Sequence, residues 1–177
     1  MSNVFPIVTS RTLLRRLSPT DLADFQLYRH DEEVGRYQDW LPQTDADAAI
    51  FLKEHGEAEF FQPGIWFQVG IAERETDALI GDIGICLSES EPEVEIGFTL
   101  RRQSQGLGIG REAVGELVDF LFEQTDIRRI VGVADARNIA AIKLLEKLGM
   151  QRLQTNKALF RGSPCEEHVF ALHRLST

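Results

Sequence analysis

The stretch RRQSQGLGIGREAV, residues 101–114, decides how the fold of this 177-residue chain is predicted. It places glycines at 106, 108 and 110, between an arginine pair and the apparent start of a helix. A strand that leads through such a turn into a helix presents several backbone N–H groups near the positive end of the helix dipole. The stretch therefore predicts a phosphate site, which Arg101, Arg102 and Arg111 make positive. A second interpretation is that the glycines only allow close packing of helix and sheet.

The composition is that of an ordinary globular protein. With 43% hydrophobic and 27% charged residues, the length predicts a single domain over residues 1–177. The net charge of -9 argues against a nucleic-acid partner, because such partners are held by contacts of cationic side chains with phosphates. The sequence starts with no basic region followed by a long apolar run, so we expect a cytoplasmic protein that makes no membrane contact.

The apolar spacing predicts alternating strands and helices. Strands are expected at 11–17, 65–72, 79–87, 94–100, 128–134, 150–160 and 166–174. Helices are expected at 20–29, 44–59, 108–124 and 138–148, each preceded or opened by a residue suited to a helix start. The short links between the second, third and fourth strands indicate an antiparallel meander. The whole pattern predicts a mixed α/β domain without an internal linker.

Two other kinds of phosphate ligand compete for the glycine turn. A Walker-type loop is excluded because no Gly-Lys-Ser or Gly-Lys-Thr follows the glycines. A dinucleotide fold stays open, since Asp135 follows the next strand and such an acid can bind a ribose. That fold requires glycines directly after an opening parallel strand, however, whereas Arg101–Gln105 intervene here.

Two motifs resemble those of the GNAT acetyltransferases. Residues 103–108, QSQGLG, fit the family signature Q/R-x-x-G-x-G/A, and residues 138–150, NIAAIKLLEKLGM, resemble its N-x-x-A helix that ends in E-K-x-G-F. The segment Arg11–Asp21 and the strand EIGFTL, 95–100, are similar to the branch of ribosomal-protein N-terminal acetyltransferases. The resemblance covers nearly the whole chain and is vaguer over the first 70 residues.

The resemblance implies a mostly antiparallel central sheet with flanking helices, split between the fourth and fifth strands, 94–100 and 128–134. It also implies acetyl-CoA as co-substrate, with the pyrophosphate on the N–H groups of residues 106–111 and the pantetheine arm along Phe98–Leu100. The cofactor-binding residues expected on this basis are Phe98, Thr99, Leu100, Gln105, Gly106, Leu107, Gly108, Ile109, Gly110, Arg111, Asn138 and Ala141. Asn138 can equally serve as a plain helix cap.

Acetyl transfer to an amine requires a base, because an ammonium nitrogen has no lone pair. Glu95 is the candidate, since alternation along the strand puts it on the polar face and the family often carries a catalytic Glu at this position. A solvated strand carboxylate is the other interpretation of Glu95. A backbone N–H near Phe98 or Thr99 is expected to stabilise the oxyanion. Leu145 stands where many GNAT enzymes carry a Tyr acid, so the thiolate leaves unassisted or another donor substitutes.

The connection between the first two helices is expected to shape the acceptor pocket, as it does in this family. Tyr37 and Trp40 would form an aromatic wall, which with Asp39 suits an amine, although a lone Trp more often belongs to a core. No metal site is expected, because the four histidines lack ligand spacing. The predicted function is acetyl transfer from acetyl-CoA to a small-molecule amine or a protein N-terminus, in a ternary complex, with a homodimer as a further expectation. A non-catalytic acetyl-CoA sensor is the alternative.

Overall fold

The computed structural model describes residues 4–175, which are built around one eight-stranded sheet. The strand order is β1-β2-β3-β4-β5-β6-β8-β7, and every neighbouring pair is antiparallel except β5 and β6. The strands are β1 Ile7–Val8, β2 Thr12–Arg16, β3 Trp66–Glu73, β4 Leu79–Leu87, β5 Glu93–Leu100, β6 Arg129–Asp135, β7 Gln151–Phe160 and β8 Ser163–His173. This architecture confirms the predicted mixed α/β fold with a mostly antiparallel sheet.

Of the five α-helices within residues 4–175, all but the second begin within two residues of the starts that the sequence indicated. They are α1 Leu22–Arg29, α2 Glu32–Gly35, α3 Asp45–Glu57, α4 Ile109–Gln124 and α5 Ile139–Lys147. Ser18 opens a 3-10 turn before α1 with a reciprocal capping box to Asp21, and the Thr44 hydroxyl accepts from the N–H of Asp47. The Asn138 side chain accepts from the N–H of Ala141 and so caps α5.

Two short elements were not predicted. Strand β1 has two residues and helix α2 has four, so neither is long enough to show a hydrophobic period. Helix α2 lies within the connection that the sequence analysis treated as a loop. It is capped by Asp31, whose carboxylate accepts from two backbone N–H groups.

The sheet is covered on both faces. Helix α4 buries an apolar stripe that includes Val114, Leu117 and Leu121 in the main core, together with Ile83 of β4. Tyr28 of α1 instead reaches Asp82, the neighbouring residue of β4. Because successive side chains of a strand point to opposite faces, α1 and α4 lie on opposite sides of the sheet.

The sheet splits where β5 and β6 diverge. The two strands are paired only from Glu93–Ile96 to Arg129–Gly132. Beyond this point β5 remains paired with β4 as far as Leu100, while β6 remains paired with β8 as far as Asp135. The predicted split between these two strands is therefore confirmed, and it leaves a wedge of unpaired backbone in the middle of the sheet.

Candidate active site

A cavity of about 660 Å³ adjoins the split. The end of β5, the glycine turn, one side of α5 along its whole length and the connection after α2 form its walls. Eleven of the predicted site residues line it, namely Tyr37, Phe98, Thr99, Leu100, Gln105, Gly106, Gly108, Gly110, Arg111, Asn138 and Ala141. Residues separated by up to 104 positions in the sequence thus converge on one space.

Four predicted site residues lie elsewhere. Leu107 is 59% exposed and its carbonyl accepts from Arg11, while Ile109 packs against the main core. Trp40 packs against the second core cluster beneath α1 and α3. Glu95 projects from β5 on the face opposite to Ile96.

The glycine turn needs glycine at two positions. Gly106 and Gly108 have φ of 73° and 78°, a region that other residues rarely adopt. Gly108 is the N-cap of α4 and offers no side-chain cap, so the first N–H groups of the helix have no partner within the turn. Such N–H groups at a positive helix end bind anions, which is what the sequence predicted for this stretch.

The positive charge of the cavity comes mainly from other residues than the predicted arginine pair. Arg101 pairs with Glu73 and Arg102 with Asp31, and neither lines the cavity. The lining cations are instead Arg36, Arg111, Arg137, Lys143 and Lys147. Lys143 and Lys147 were missed, although their spacing of four residues places them on one side of α5.

The backbone of β5 presents alternate residues to the split. Arg101 donates to Ile80 and Ser88 donates to Glu93, so the odd-numbered residues of β5 exchange hydrogen bonds with β4. Phe98 and Leu100 therefore turn their peptide groups toward the split, where their carbonyls accept the side-chain amides of Gln38 and Gln105. Of the two N–H groups predicted to stabilise an oxyanion, that of Phe98 faces the split and that of Thr99 faces β4.

Glu95 is exposed as a whole residue, but its carboxylate lies against the sheet and is partly shielded from solvent. Burial of the carboxylate beside the sheet and the negative charges of Glu93, Glu167 and Asp39 raise its pKa above the ordinary range. A Cβ built on neighbouring Gly97 meets no atom within 4 Å, so the space beside Glu95 is open. This face is where an amine has room to approach.

Trp66 lies on the same face and was not singled out from the sequence. It pairs with Cys86, which in turn pairs with Glu95 across three neighbouring strands. Its indole is 41% exposed and lies over Gly84, where an added Cβ would come within 3.1 Å of the ring. The sequence offered no signal for this placement, because an aromatic residue at the start of a strand is common.

The connection after α2 is tied to the split strand and to the β7–β8 turn. The Arg161 Nη2 atom donates to the carbonyls of Gly35, Gln38 and Trp40, at 3.2, 3.2 and 3.4 Å. The Trp40 indole N–H donates to the Thr99 hydroxyl at 3.3 Å. These contacts hold Tyr37 at the cavity, where the Arg137 guanidinium lies 5.5 Å from the centre of its ring.

Leu145, which stands at the position of the family's Tyr, and Ser104, which precedes the glycine turn, are both buried in packing roles. Leu145 is 1% exposed and fills the space over Gly132, where an added Cβ would come within 2.7 Å of it. Ser104 is 3% exposed, and its hydroxyl accepts from the Nε atom of Arg101. Neither residue lines the cavity.

Within residues 4–175, no group of three or more His, Cys, Asp or Glu side chains is arranged to hold a metal ion. In the same part of the chain, no helix combines the length and the apolar character that a membrane crossing requires. Cys86 and Cys165 are free thiols.

Comparison with known proteins finds a family model, a relative and solved structures that are named as acetyltransferases. The model of the acetyltransferase (GNAT) domain family matches residues 11–151. A Bacillus licheniformis protein named "Uncharacterized N-acetyltransferase p20" is 30% identical over 176 residues, which cover 94% of each chain. An inferred ribosomal-protein-serine acetyltransferase from Vibrio cholerae is 26% identical, with a TM-score of 0.81 over 98% of this chain and 100% of that one.

A further solved structure is RimL, a ribosomal L7/L12 α-N-protein acetyltransferase in complex with coenzyme A. It shares the fold with a TM-score of 0.79 at 16% identity, over 94% of this chain and 96% of its own. The split sheet with its glycine turn and cationic cavity thus defines an acetyltransferase enzyme. The chain belongs to the acetyltransferase (GNAT) domain family, and ribosomal-protein acetyltransferases are among its structural neighbours.

Proposed function

We propose that the protein is an N-acetyltransferase that moves the acetyl group of acetyl-CoA to a primary amine by direct attack in a ternary complex. The observation that carries this proposal is the cavity at the split, where the glycine turn and the cations of α5 meet. We further propose that residues 1–177 form one acetyltransferase domain. The terminal residues 1–3 and 176–177 lie outside the described part of the chain. A cytoplasmic location and a homodimer stay predictions.

The residues at the cavity fit acetyl-CoA. The N–H groups between Gly106 and Arg111 and the side chains of Lys143 and Lys147 are donors suited to its phosphates. Phe98 and Leu100 offer the peptide groups that an extended amide-bearing arm would use. Asn138 and Ala141 bound the same space at the start of α5. Leu107 and Ile109 would contribute only backbone, because their side chains point away from the cavity. When bound, acetyl-CoA supplies an activated acetyl thioester.

Glu95 is the proposed general base. It stands on the open face beside Gly97, and its raised pKa brings it closer to the operating pH, which makes a carboxylate a more effective base. In its ionised form Glu95 takes a proton from the acceptor nitrogen, directly or through a water molecule. The N–H of Phe98 is the proposed donor to the oxyanion, because it faces the split.

The acceptor is proposed to enter from the face that carries Glu95. The carboxylates of Glu93, Glu95, Glu167 and Asp39 give this face a negative charge that suits a protonated amine. Tyr37 borders the cavity and keeps its proposed place in the acceptor wall. The ring of Trp40 packs against the core, so its proposed part in the acceptor wall is supported only by its hydrogen bond to Thr99 beside the cavity. A protein N-terminus and a small-molecule amine both remain within this class.

A turnover assay tests the proposal. Purified protein is incubated with acetyl-CoA and a panel of peptides, polyamines and amino acids, and released CoA thiol is measured beside acetyl-CoA binding. We expect binding together with transfer to at least one amine. Binding without transfer across the panel would favour the non-catalytic sensor. Absence of acetyl-CoA binding would contradict both and revive the dinucleotide interpretation.

Substitution of Glu95 tests the base. Glu95→Gln removes the proton acceptor and keeps the shape, so turnover near neutral pH should fall about 100-fold while acetyl-CoA affinity stays within twofold. Glu91→Gln is the matched control, since it removes the same charge from an exposed turn just before β5. A fully active Glu95→Gln variant would show that Glu95 is not the base.

A further inference from the structure

The leaving thiolate lacks the proton donor that the family usually places on α5. Leu145 occupies that position, buried in the core over Gly132. Among the described residues, two that carry hydroxyl groups line the cavity, Tyr37 and Thr99. The Thr99 hydroxyl accepts from the indole N–H of Trp40, and Thr99 is only 4% exposed.

The chain has two tyrosines, and they lie in opposite environments. Tyr28 is 1% exposed and donates to Asp82 at 2.6 Å, within the core beneath α1. Tyr37 is half-buried and lines the cavity. Its neighbour Gln38 donates to the carbonyl of Phe98, so the chain at Tyr37 is fixed next to the split strand.

A cation stands beside the Tyr37 ring and is itself held in place. The Arg137 guanidinium lies 5.5 Å from the ring centre and forms a two-point ion pair with Asp135, at 2.8 and 2.6 Å. Asp135 is 8% exposed at the end of β6, which is the other edge of the split. A phenolate formed at Tyr37 would therefore have a positive charge beside it.

We propose that Tyr37 is the catalytic acid that protonates the departing thiolate of CoA. The inference rests on the proposed acetyl transfer. The acceptor nitrogen forms a bond to the acetyl carbonyl carbon, the carbon–sulfur bond breaks, and the sulfur takes the hydroxyl proton of Tyr37. The proton lost by the acceptor nitrogen goes to Glu95 or water, and the Tyr37 phenolate regains a proton from solvent before the next turnover.

The first test is kinetic. Tyr37→Phe keeps the ring beside Arg137 and removes the proton, so the single-turnover rate of acetyl transfer should fall about 100-fold, the lower end of the range for general acid catalysis. Acetyl-CoA affinity, measured by calorimetry, should stay within twofold. A variant that raises KM for the amine and keeps the single-turnover rate would make Tyr37 an acceptor wall only and overturn the assignment.

The second test uses global replacement of tyrosine by 3,5-difluorotyrosine, a more acidic phenol. An acid must be protonated to act, so the alkaline limb of the transfer rate should move to lower pH. The Tyr37→Phe protein with the same replacement carries the label at Tyr28 alone. The alkaline limb of its transfer rate should match that of unlabelled Tyr37→Phe. An equal shift in both proteins, or no shift in either, would overturn the assignment.

The same labelled protein gives a readout independent of activity. The ¹⁹F resonance that Tyr37→Phe removes should shift on binding CoA and shift less on binding desulfo-CoA, because only CoA places sulfur beside the phenol. Equal shifts with the two ligands would contradict contact with the thiol. If the unlabelled wild-type protein acetylates no amine, the proposed function has failed and this assignment with it. An active wild type with an equally active Tyr37→Phe variant refutes the assignment alone.

Discussion

The two sides of the split are built in different ways. The side proposed to bind acetyl-CoA consists of the end of β5 and two continuous segments, residues 103–111 and 138–147, whose backbone conformations follow from glycines and a helix cap. The side proposed to bind the acceptor is assembled from three separate elements: Glu95 on β5, the connection that carries Tyr37 and Trp40, and Arg161 of the β7–β8 turn, which holds that connection. Local sequence determines the first side, whereas long-range contacts determine the second.

This difference has a consequence for substitution. On the acetyl-CoA side one backbone position can disable the site, because N–H groups at a helix start cannot be replaced from elsewhere. On the acceptor side each residue supplies a part of a surface, so single changes should have smaller and more selective effects. Variants on the two sides should therefore differ both in size of effect and in which ligand they affect.

The largest effect is expected for Gly108→Asp. The change puts a carboxylate at the N-cap of α4, where the proposed pyrophosphate would bind, and acetyl-CoA affinity should fall by at least 100-fold by calorimetry. Gly162→Asp is the matched control, since Gly162 also has a positive φ of 79° and an added Cβ there meets nothing within 4 Å. Loss of affinity in both variants would point to a general folding defect. Retained affinity in Gly108→Asp would move the phosphate site away from the turn.

A smaller and selective effect is expected for Arg161→Asn. Arg161 has a φ of 50° in a two-residue hairpin turn, a conformation that Asn adopts more readily, so folding should not suffer. The carbonyls of Gly35, Gln38 and Trp40 would lose their shared donor. KM for the amine should rise about tenfold, which corresponds to about 1.4 kcal/mol for charge-assisted hydrogen bonds on an exposed side chain.

The matched control for this prediction is Lys157→Ala, which removes an exposed cation from β7, the strand that leads into the turn of Arg161. Acetyl-CoA affinity should be unchanged in both variants. Equal rises in KM for the amine in the two would assign the effect to lost charge, and an unchanged KM in Arg161→Asn would show that the connection after α2 does not depend on Arg161.

The sequence predicted what local chemistry dictates. Strand and helix identities followed from apolar periods, and the caps at Ser18, Thr44 and Asn138 followed from residue type. The pairing of Arg101 with Glu73 instead of a phosphate could not be foreseen, because it depends on how β4 brings the end of β3 close to the end of β5. The same holds for the burial of Trp40 and the exposure of Trp66, which depend on the course of α1 and on a glycine in β4.

The smallest effect is expected for Glu167→Gln, and it would refine the electrostatic account of the acceptor side. The negative charge of Glu167 is one cause of the raised pKa of Glu95, so removing it should lower that pKa. A base acts when deprotonated, and the acidic limb of kcat/KM should therefore move to lower pH. Activity at a pH on that limb should rise about threefold, as expected for a partly screened charge interaction.

Glu166→Gln is the matched control, because it removes the same formal charge from the opposite face of β8 and should leave the acidic limb in place. If the acidic limb moves equally in both variants, the net charge of the protein governs it. If it moves in neither variant, the titration seen in the limb is not that of Glu95.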